Sequence, residues 1–162
     1  MSMAPQQNRG GFQGGGRPQG GGNRPNNPPL PAFDVGHIKF GKNIDDKLFD
    51  STAQAIAKAI AEEGGGRKNK STQLRKFYDE LMMWHDKVFE HGVDRETRYK
   101  ELAPFIKMLC AKVTYAKGRE HVSPGFETLF THVIRAIYDP DTLKQAKLFI
   151  EAFMGFYKAE ER

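Results

Sequence analysis

Apolar residues recur every three or four positions from about residue 44 to the end of the chain. This is the period of an amphipathic helix, and it differs from the strict alternation of a half-buried strand. Five segments show the helical period. Their stripes are Leu48, Thr52, Ala55, Ile56, Ala59 and Ile60; Leu74, Phe77, Tyr78, Leu81, Trp84, His85 and Val88; Tyr99, Leu102, Ile106, Leu109, Val113 and Ala116; Phe126, Leu129, Phe130, Val133 and Ile137; and Leu143, Ala146, Ile150, Phe153 and Tyr157. The pattern therefore predicts five helices.

Capping residues indicate where three of these helices begin. Ser123–Pro124 and Asp139–Pro140 each place a capping side chain before a proline. Proline is well tolerated at the first helical position, because the N–H that it lacks would have no partner there. We expect the fourth and fifth helices to start at these pairs. A cap at Ser71 or Thr72 is expected to open the second helix.

Glycine residues indicate where the first three helices end. Gly64–Gly66 follows the first stripe, Gly92 the second and Gly118 the third. Pro104 lies within the third helix and is predicted to kink it or to mark a late start. Amphipathic helices joined by short links bury their apolar faces against one another. The predicted fold is therefore all-α, a compact bundle of about five helices.

The first 34 residues are dominated by Gly, Pro, Gln and Asn. Such a composition buries too little apolar surface to offset chain entropy, so we predict a disordered tail over residues 1–34 and a helical-bundle domain over residues 35–162. Arg9, Arg17 and Arg24 allow the tail to touch nucleic acid loosely, although a solubilising extension is the favoured interpretation. No stripe defines residues 35–42, which we interpret as an extended packed segment.

Net charge alone says little about function. The formal charge is +5, but the three tail arginines all lie in the first 31 residues, which contain no acid, so residues 32–162 carry 22 basic against 20 acidic residues. The single cysteine, Cys110, excludes an intrachain disulfide and a multi-cysteine zinc site, and it fits a reducing compartment. No apolar run reaches the roughly 18 residues of a membrane span, and no signal-peptide stretch opens the chain. We expect a soluble, cytoplasmic protein that makes no contact with membranes.

Catalytic motifs are missing from the sequence. A di-metal carboxylate bundle needs Glu three positions before a His, and a zinc-protease helix needs two His four positions apart. Neither spacing occurs among the histidines, which are His37, His85, His91, His121 and His132. His85 lies on the second apolar stripe, where a hydrogen-bonded core histidine is the expected interpretation. We predict no catalytic residues, no bound metal and no cofactor.

A first basic stretch runs into the predicted start of the second helix. Its residues are Arg67, Lys68, Lys70, Ser71, Thr72, Gln73, Arg75 and Lys76. Positive charge at a helix N-terminus opposes the helix dipole, and a bound phosphate would resolve that conflict. An ordinary solvated face is the alternative, because Arg75 can pair with Asp79 and Lys76 with Glu80 at four-residue spacing.

A second basic stretch lies at the end of the third helix and contains Lys107, Lys112, Tyr115, Lys117, Gly118 and Arg119. Here the helix dipole itself favours cations, so no ligand is required to explain them. Antiparallel packing of the second and third helices would bring the two stretches together. Tyr115 would then be placed to stack or to donate a hydrogen bond, although a partly buried bundle tyrosine is more common.

Both stretches resemble motifs of the small-subunit family of the type III-A CRISPR-Cas effector, the Csm complex. Residues 70–80 (KSTQLRKFYDE) are similar to the family's Ser/Thr-x-Leu/Ile-Arg-Lys-Phe-Tyr segment, which opens a helix. Residues 112–119 (KVTYAKGR) are similar to its Lys-x-x-Tyr-Ala-x-Gly-Arg turn. A late helix with Phe149, Phe153 and Phe156 extends the resemblance over roughly residues 67–160.

The resemblance implies a non-catalytic scaffold of an antiviral effector. Small subunits of this family form a row of copies beside the backbone subunits, and their basic face lines the channel for guide RNA and target RNA. RNA cutting belongs to the backbone subunits and DNA cutting to the large subunit. The implied RNA-binding residues are Arg67, Lys68, Lys70, Thr72, Gln73, Arg75, Lys76, Lys112, Tyr115, Lys117 and Arg119. The Gly-rich tail departs from the short N-terminus expected of the family.

Two other classes of function remain open. A free-standing helical nucleic-acid-binding protein would need a short turn between two helices and a recognition helix that reads bases. In a protein-interaction module, both basic stretches would be ordinary surface.

Overall fold

A computed structural model of the chain describes residues 2–3 and 34–161. The tail predicted over residues 1–34 lies almost entirely outside these described residues. Within residues 34–161 the structure contains helices and turns and no strand. The all-α prediction is confirmed.

Residues 34–161 form a bundle of six α-helices. A short 3₁₀ turn, Val35–His37, comes first, and a π-helical turn, Leu48–Thr52, leads directly into α1. The segments are α1 (Ala53–Gly64), α2 (Ser71–Val88), α3 (Arg95–Lys107), α4 (Leu109–Gly118), α5 (Pro124–Arg135) and α6 (Pro140–Glu160). The five predicted helices are present, with α3 and α4 as two parts of the third.

The third predicted helix is interrupted at Met108, four residues after Pro104. Pro104 lies inside α3, where its ring removes one backbone donor and crowds the preceding turn. Lys107, the last residue of α3, donates hydrogen bonds from Nζ to the carbonyl oxygens of Ile134 at 2.7 Å and Ile137 at 2.6 Å. These two hydrogen bonds thus hold the break between α3 and α4 against the end of α5.

Aromatic side chains from three helices fill the centre of the core. Phe77 of α2 lies 5.8 Å and 5.3 Å, between ring centroids, from Phe126 and Phe130 of α5. Phe153 of α6 lies 6.1 Å from Phe126 and 5.5 Å from Tyr157. Burial of each such side chain contributes roughly 1.5–3 kcal/mol to stability. Helix α6 packs against both α1 and α2, while α4 packs against α5.

The apolar stripe predicted for the first helix is partly wrong. The buried face of α1 contains Ala53, Ile56, Ala57 and Ile60, whereas Ala55 is exposed. Alanine occupies every second position from residue 53 to residue 59, so its pattern does not define one face of a helix. The two isoleucines alone indicate the buried side.

Residues 35–42 begin with a turn and then pack along α5 and α6. Ile38 is buried, and its carbonyl oxygen accepts a hydrogen bond from Nε2 of His132 at 2.8 Å. The backbone of Gly41 is held by both groups of the Gln145 side chain, at 2.8 Å and 3.1 Å. The expected extended segment is therefore preceded by one turn of 3₁₀ helix, Val35–His37.

Candidate nucleic-acid interface

Asn69, a linker residue that carries no periodic signal, joins the two basic stretches. Its side chain is buried, and its φ of 58° lies in the left-handed region that asparagine tolerates. Its N–H donates to the carbonyl of His121 at 3.0 Å. Its Nδ2 donates to Ser123 Oγ at 2.8 Å and to the Ile60 carbonyl at 3.2 Å, while its Oδ1 accepts from the Ser123 N–H at 2.8 Å. The linker before α2 is thereby fixed to the turn between α4 and α5.

Two further residues extend this polar cluster to α1 and α6. Glu63 accepts hydrogen bonds from Ser123 Oγ at 2.6 Å and from the Gly125 N–H at 3.0 Å. Tyr157 donates its hydroxyl to the carbonyl of Asn69. Burial, with Glu161 nearby, raises the pKa of Tyr157 to about 12, so this hydroxyl keeps its proton as a donor.

The joined stretches form a surface groove of about 330 Å³ between α2 and α4. We call it the α2–α4 groove. It is lined by Gln73, Lys76, Phe77, Glu80, Lys112, Tyr115, Ala116, Arg119 and His121. The two basic stretches therefore lie next to each other, as predicted. Five of the eleven predicted RNA-binding residues line this groove.

The ion pairs differ from those that the sequence suggested. The expected pair between Arg75 and Asp79 forms at 3.8 Å, between largely exposed side chains. Glu80 does not pair with Lys76, because it reaches across the groove to Lys112 instead. Within residues 34–161, Lys76 and Arg119 form no ion pair with an acidic side chain. The groove thus keeps two cations that have no ion-pair partner in the described part of the chain.

Tyr115 and Arg119 form a pair at the end of α4. The Arg119 guanidinium lies 6.0 Å from the centroid of the Tyr115 ring, and Nη1 lies 3.4 Å from the hydroxyl. The tyrosine is 67% exposed, so it is not the partly buried bundle tyrosine that is more common.

The other predicted RNA-binding residues lie outside the groove. Arg67, Lys70, Thr72 and Arg75 are exposed around the start of α2. Lys68 pairs with Glu120 at 3.8 Å, and Lys117 pairs with Glu127 at 3.1 Å. Lys70 donates to the carbonyl of Gly66.

Lys107 belongs to the second basic stretch in sequence, but its side chain does not line the groove. Its amine is engaged with the two carbonyl oxygens at the end of α5, and burial lowers its pKa. The sequence could not show this, because the carbonyls lie about thirty residues away along the chain.

The N-terminus of α2 is capped by a carboxylate from the end of the described chain. The expected cap at Ser71 or Thr72 is wrong, since Lys70 is the N-cap residue and makes no side-chain capping bond. Glu161 Oε1 accepts from the Ser71 N–H at 3.0 Å, and Lys158 approaches its other oxygen at 3.0 Å. These hydrogen bonds lower the pKa of Glu161 to about 2. The Glu161 carboxylate is therefore an anion that the protein itself places at the start of α2.

His85 is mostly buried. Its Nδ1 lies 3.0 Å from Asp86 Oδ1, and its ring stacks on Phe89 with centroids 4.5 Å apart.

Among the residues that the structure describes, no group of three or more His, Cys, Asp and Glu side chains is placed to hold a metal ion. In that same part of the chain, none of the helices combines the length and apolar character needed to cross a membrane.

The fold and the site define an all-α bundle protein with a cationic surface groove. The model of the family described as Csm2 Type III-A matches residues 46–162, which include both basic stretches. The chain therefore belongs to this family, and it is a small subunit of the type III-A Csm complex. No curated protein and no solved structure matches the chain significantly. The resemblance drawn from the two motifs is confirmed.

Proposed function

We propose that this chain is a non-catalytic, RNA-binding scaffold subunit of the type III-A CRISPR-Cas effector. It contacts the backbones of guide RNA and target RNA, and it adjoins the backbone subunits, the large subunit and copies of itself. One observation carries the RNA part of the proposal. The hydrogen bond between Asn69 and His121 brings two basic stretches to one groove, where Lys76 and Arg119 have no acidic partner among residues 34–161.

A cationic groove suits a subunit of a guided effector. Base pairing between guide and target carries the sequence information, so the protein needs only to hold phosphates. Lys76 and Arg119 are the first candidates for these contacts, because no ion pair must be broken to reach a phosphate. Lys68 and Lys112 can exchange their carboxylate partners for phosphate at small cost, since exposed ion pairs contribute only about 0–1 kcal/mol. Lys117 pairs with the part-buried Glu127, so the same exchange is less favourable there.

The rival class of free-standing helix-turn-helix regulator fits the structure less well. Such proteins join their two helices by a turn of about three or four residues. The helices that carry the basic stretches do not meet this criterion, because α2 ends at Val88 and α3 begins at Arg95, with residues 89–94 between them. Residues 136–139 do form a four-residue link between α5 and α6, but neither basic stretch lies on those two helices. The remaining alternative is a pure protein-interaction module, and the next experiment distinguishes it from the RNA-binding scaffold.

The experiment measures how target-RNA affinity of the assembled complex depends on salt. Replacing Lys76 and Arg119 with alanine should weaken binding similarly for every guide sequence, because phosphate contacts carry no base information. The slope of log affinity against log salt should also flatten by about 0.7–0.9 for each lost contact in each copy of the subunit. Positions of target cutting should stay unchanged.

Lys100→Ala with Lys144→Ala is the matched control. Both lysines are exposed, neither lines the groove, and the charge change is identical. Equal effects of the two double variants would show a general charge effect and reject the groove. An unaltered slope for the groove variant would favour the protein-interaction module. Normal binding with lost cutting would reject the non-catalytic role.

A further inference from the structure

Tyr115 presents an aromatic ring that the fold does not use in its core. The side chain is 67% exposed, and no other aromatic ring between residues 34 and 161 pairs with it. Phe126 and Phe153, by contrast, are buried and lie 6.1 Å apart between centroids. Among residues 34–161, the Arg119 guanidinium is the one cation that lies over the Tyr115 ring. The ring is therefore available to an external partner.

The surroundings of Tyr115 divide into an apolar part and a charged part. Phe77 and Ala116 contribute apolar surface to the α2–α4 groove. Lys76 and Lys112 contribute amines, and Glu80, which pairs with Lys112, contributes one carboxylate. A nucleotide has the same division, with an apolar base face and an anionic phosphate. A neighbouring protein segment would not in general require three cations against one carboxylate beside an aromatic ring. The charge of the groove thus favours a nucleic acid as the occupant.

We propose that Tyr115 and Arg119 form a stacking site for one unpaired nucleobase of an RNA strand, with Lys76 and Lys112 on the flanking phosphates. The inference rests on the proposed function and adds a base contact to its backbone contacts. In a continuous duplex each base is covered by its neighbours, so an exposed ring can stack only on an unpaired or displaced base. Stacking does not read sequence, because every base has an aromatic face.

The test uses the full-length chain, a short single-stranded RNA that carries 2-aminopurine at one position, and the same RNA fully paired. Stacking on Tyr115 should quench the 2-aminopurine fluorescence in the single strand. Tyr115→Leu keeps an apolar side chain but removes the ring, and it should weaken single-strand binding about 5- to 150-fold. Duplex affinity and the salt slope should stay unchanged, because no charge is lost. Tyr115→Phe keeps the ring and should behave as the unaltered chain.

Three results would overturn the stacking site. These are an unchanged single-strand affinity for Tyr115→Leu, an equal loss for single strand and duplex, and a loss of binding to neighbouring subunits only. In each case the salt slope of the Lys76→Ala and Arg119→Ala variant still tests the proposed function separately. A flattened slope with no Tyr115 effect would refute the stacking site and leave the backbone contacts standing. Circular dichroism checks that both Tyr115 variants fold.

Discussion

At the scale of single residues, Asn69 holds the two basic stretches in one place. Three donors and acceptors of this residue are satisfied by the turn between α4 and α5, and a fourth bond reaches α1. Buried polar groups that lose their partners are costly, so the cluster fixes one arrangement of the linker. The groove follows from that arrangement.

We predict that Asn69→Ala destabilises the protein by about 2–5 kcal/mol. Each partner left unpaired in the buried cluster costs roughly 1–3 kcal/mol, and alanine tolerates the left-handed conformation less well than asparagine does. Asn69→Gly removes the same hydrogen bonds without that backbone strain, so its loss should be about 1 kcal/mol smaller. Urea unfolding of both variants measures the free energies. Identical losses would contradict the role of the backbone conformation, and losses below 1 kcal/mol would contradict the role of the cluster.

At the scale of elements, the end of α6 completes the start of α2. Glu161 follows α6 and accepts from the N–H of Ser71, the first residue of α2. The carboxylate both satisfies an unpaired donor and lies at the positive end of the helix dipole. The two helices therefore stabilise each other through a contact in addition to their apolar packing.

We predict a pH-dependent contribution from Glu161. Its pKa is lowered from an ordinary 4.5 to about 2, so the folded state favours the ionised form. The stabilisation is fully present above about pH 4.5, and it is lost as the pH falls toward 2. The difference in unfolding free energy between the unaltered chain and Glu161→Gln should therefore be constant at neutral pH and should shrink between these two values. Glu160→Gln, at an exposed neighbouring position, serves as the control; a difference independent of pH would contradict the ionised cap.

Most helix positions could be predicted from the sequence, because large apolar residues repeat at helical spacing. Leu74, Phe77 and Leu81 of α2 are buried as their spacing indicated. The caps at Ser123 and Asp139 also formed as predicted, since a capping side chain lies within three residues of the N–H that it binds. Local chemistry was sufficient for these features.

Features that depend on distant partners could not be predicted. The acceptor for Ser71 is Glu161, ninety positions further along the chain, and no pattern in the sequence links them. The partner of Glu80 is Lys112 on another helix, where the helical spacing favoured Lys76. The sequence therefore located the basic stretches, while the tertiary fold decided which cations remain unpaired in the groove.

At the scale of the whole molecule, we propose that residues 35–162 form an independent domain and that residues 1–34 are a dispensable tail. Buried Ile38 and the bonds from Gln145 to Gly41 place the start of the packed chain near residue 38. Limited proteolysis should therefore leave a stable fragment that begins between residues 24 and 38, identified by mass spectrometry. The fragment should unfold at the same urea concentration as the full chain. Cleavage that continues into α1 without a stable product would contradict this boundary.

The central claim is that the α2–α4 groove lies on RNA in the assembled effector. Ultraviolet cross-linking of the complex bound to target RNA, followed by mass spectrometry of the adducts, tests it most directly. We predict adducts on two peptides of this chain, one that contains residues 73–80 and one that contains residues 112–121. Lys76→Ala with Arg119→Ala should reduce both adducts, and Lys100→Ala with Lys144→Ala should reduce neither. Adducts on other surfaces of this chain, with none on these two peptides, would contradict the account.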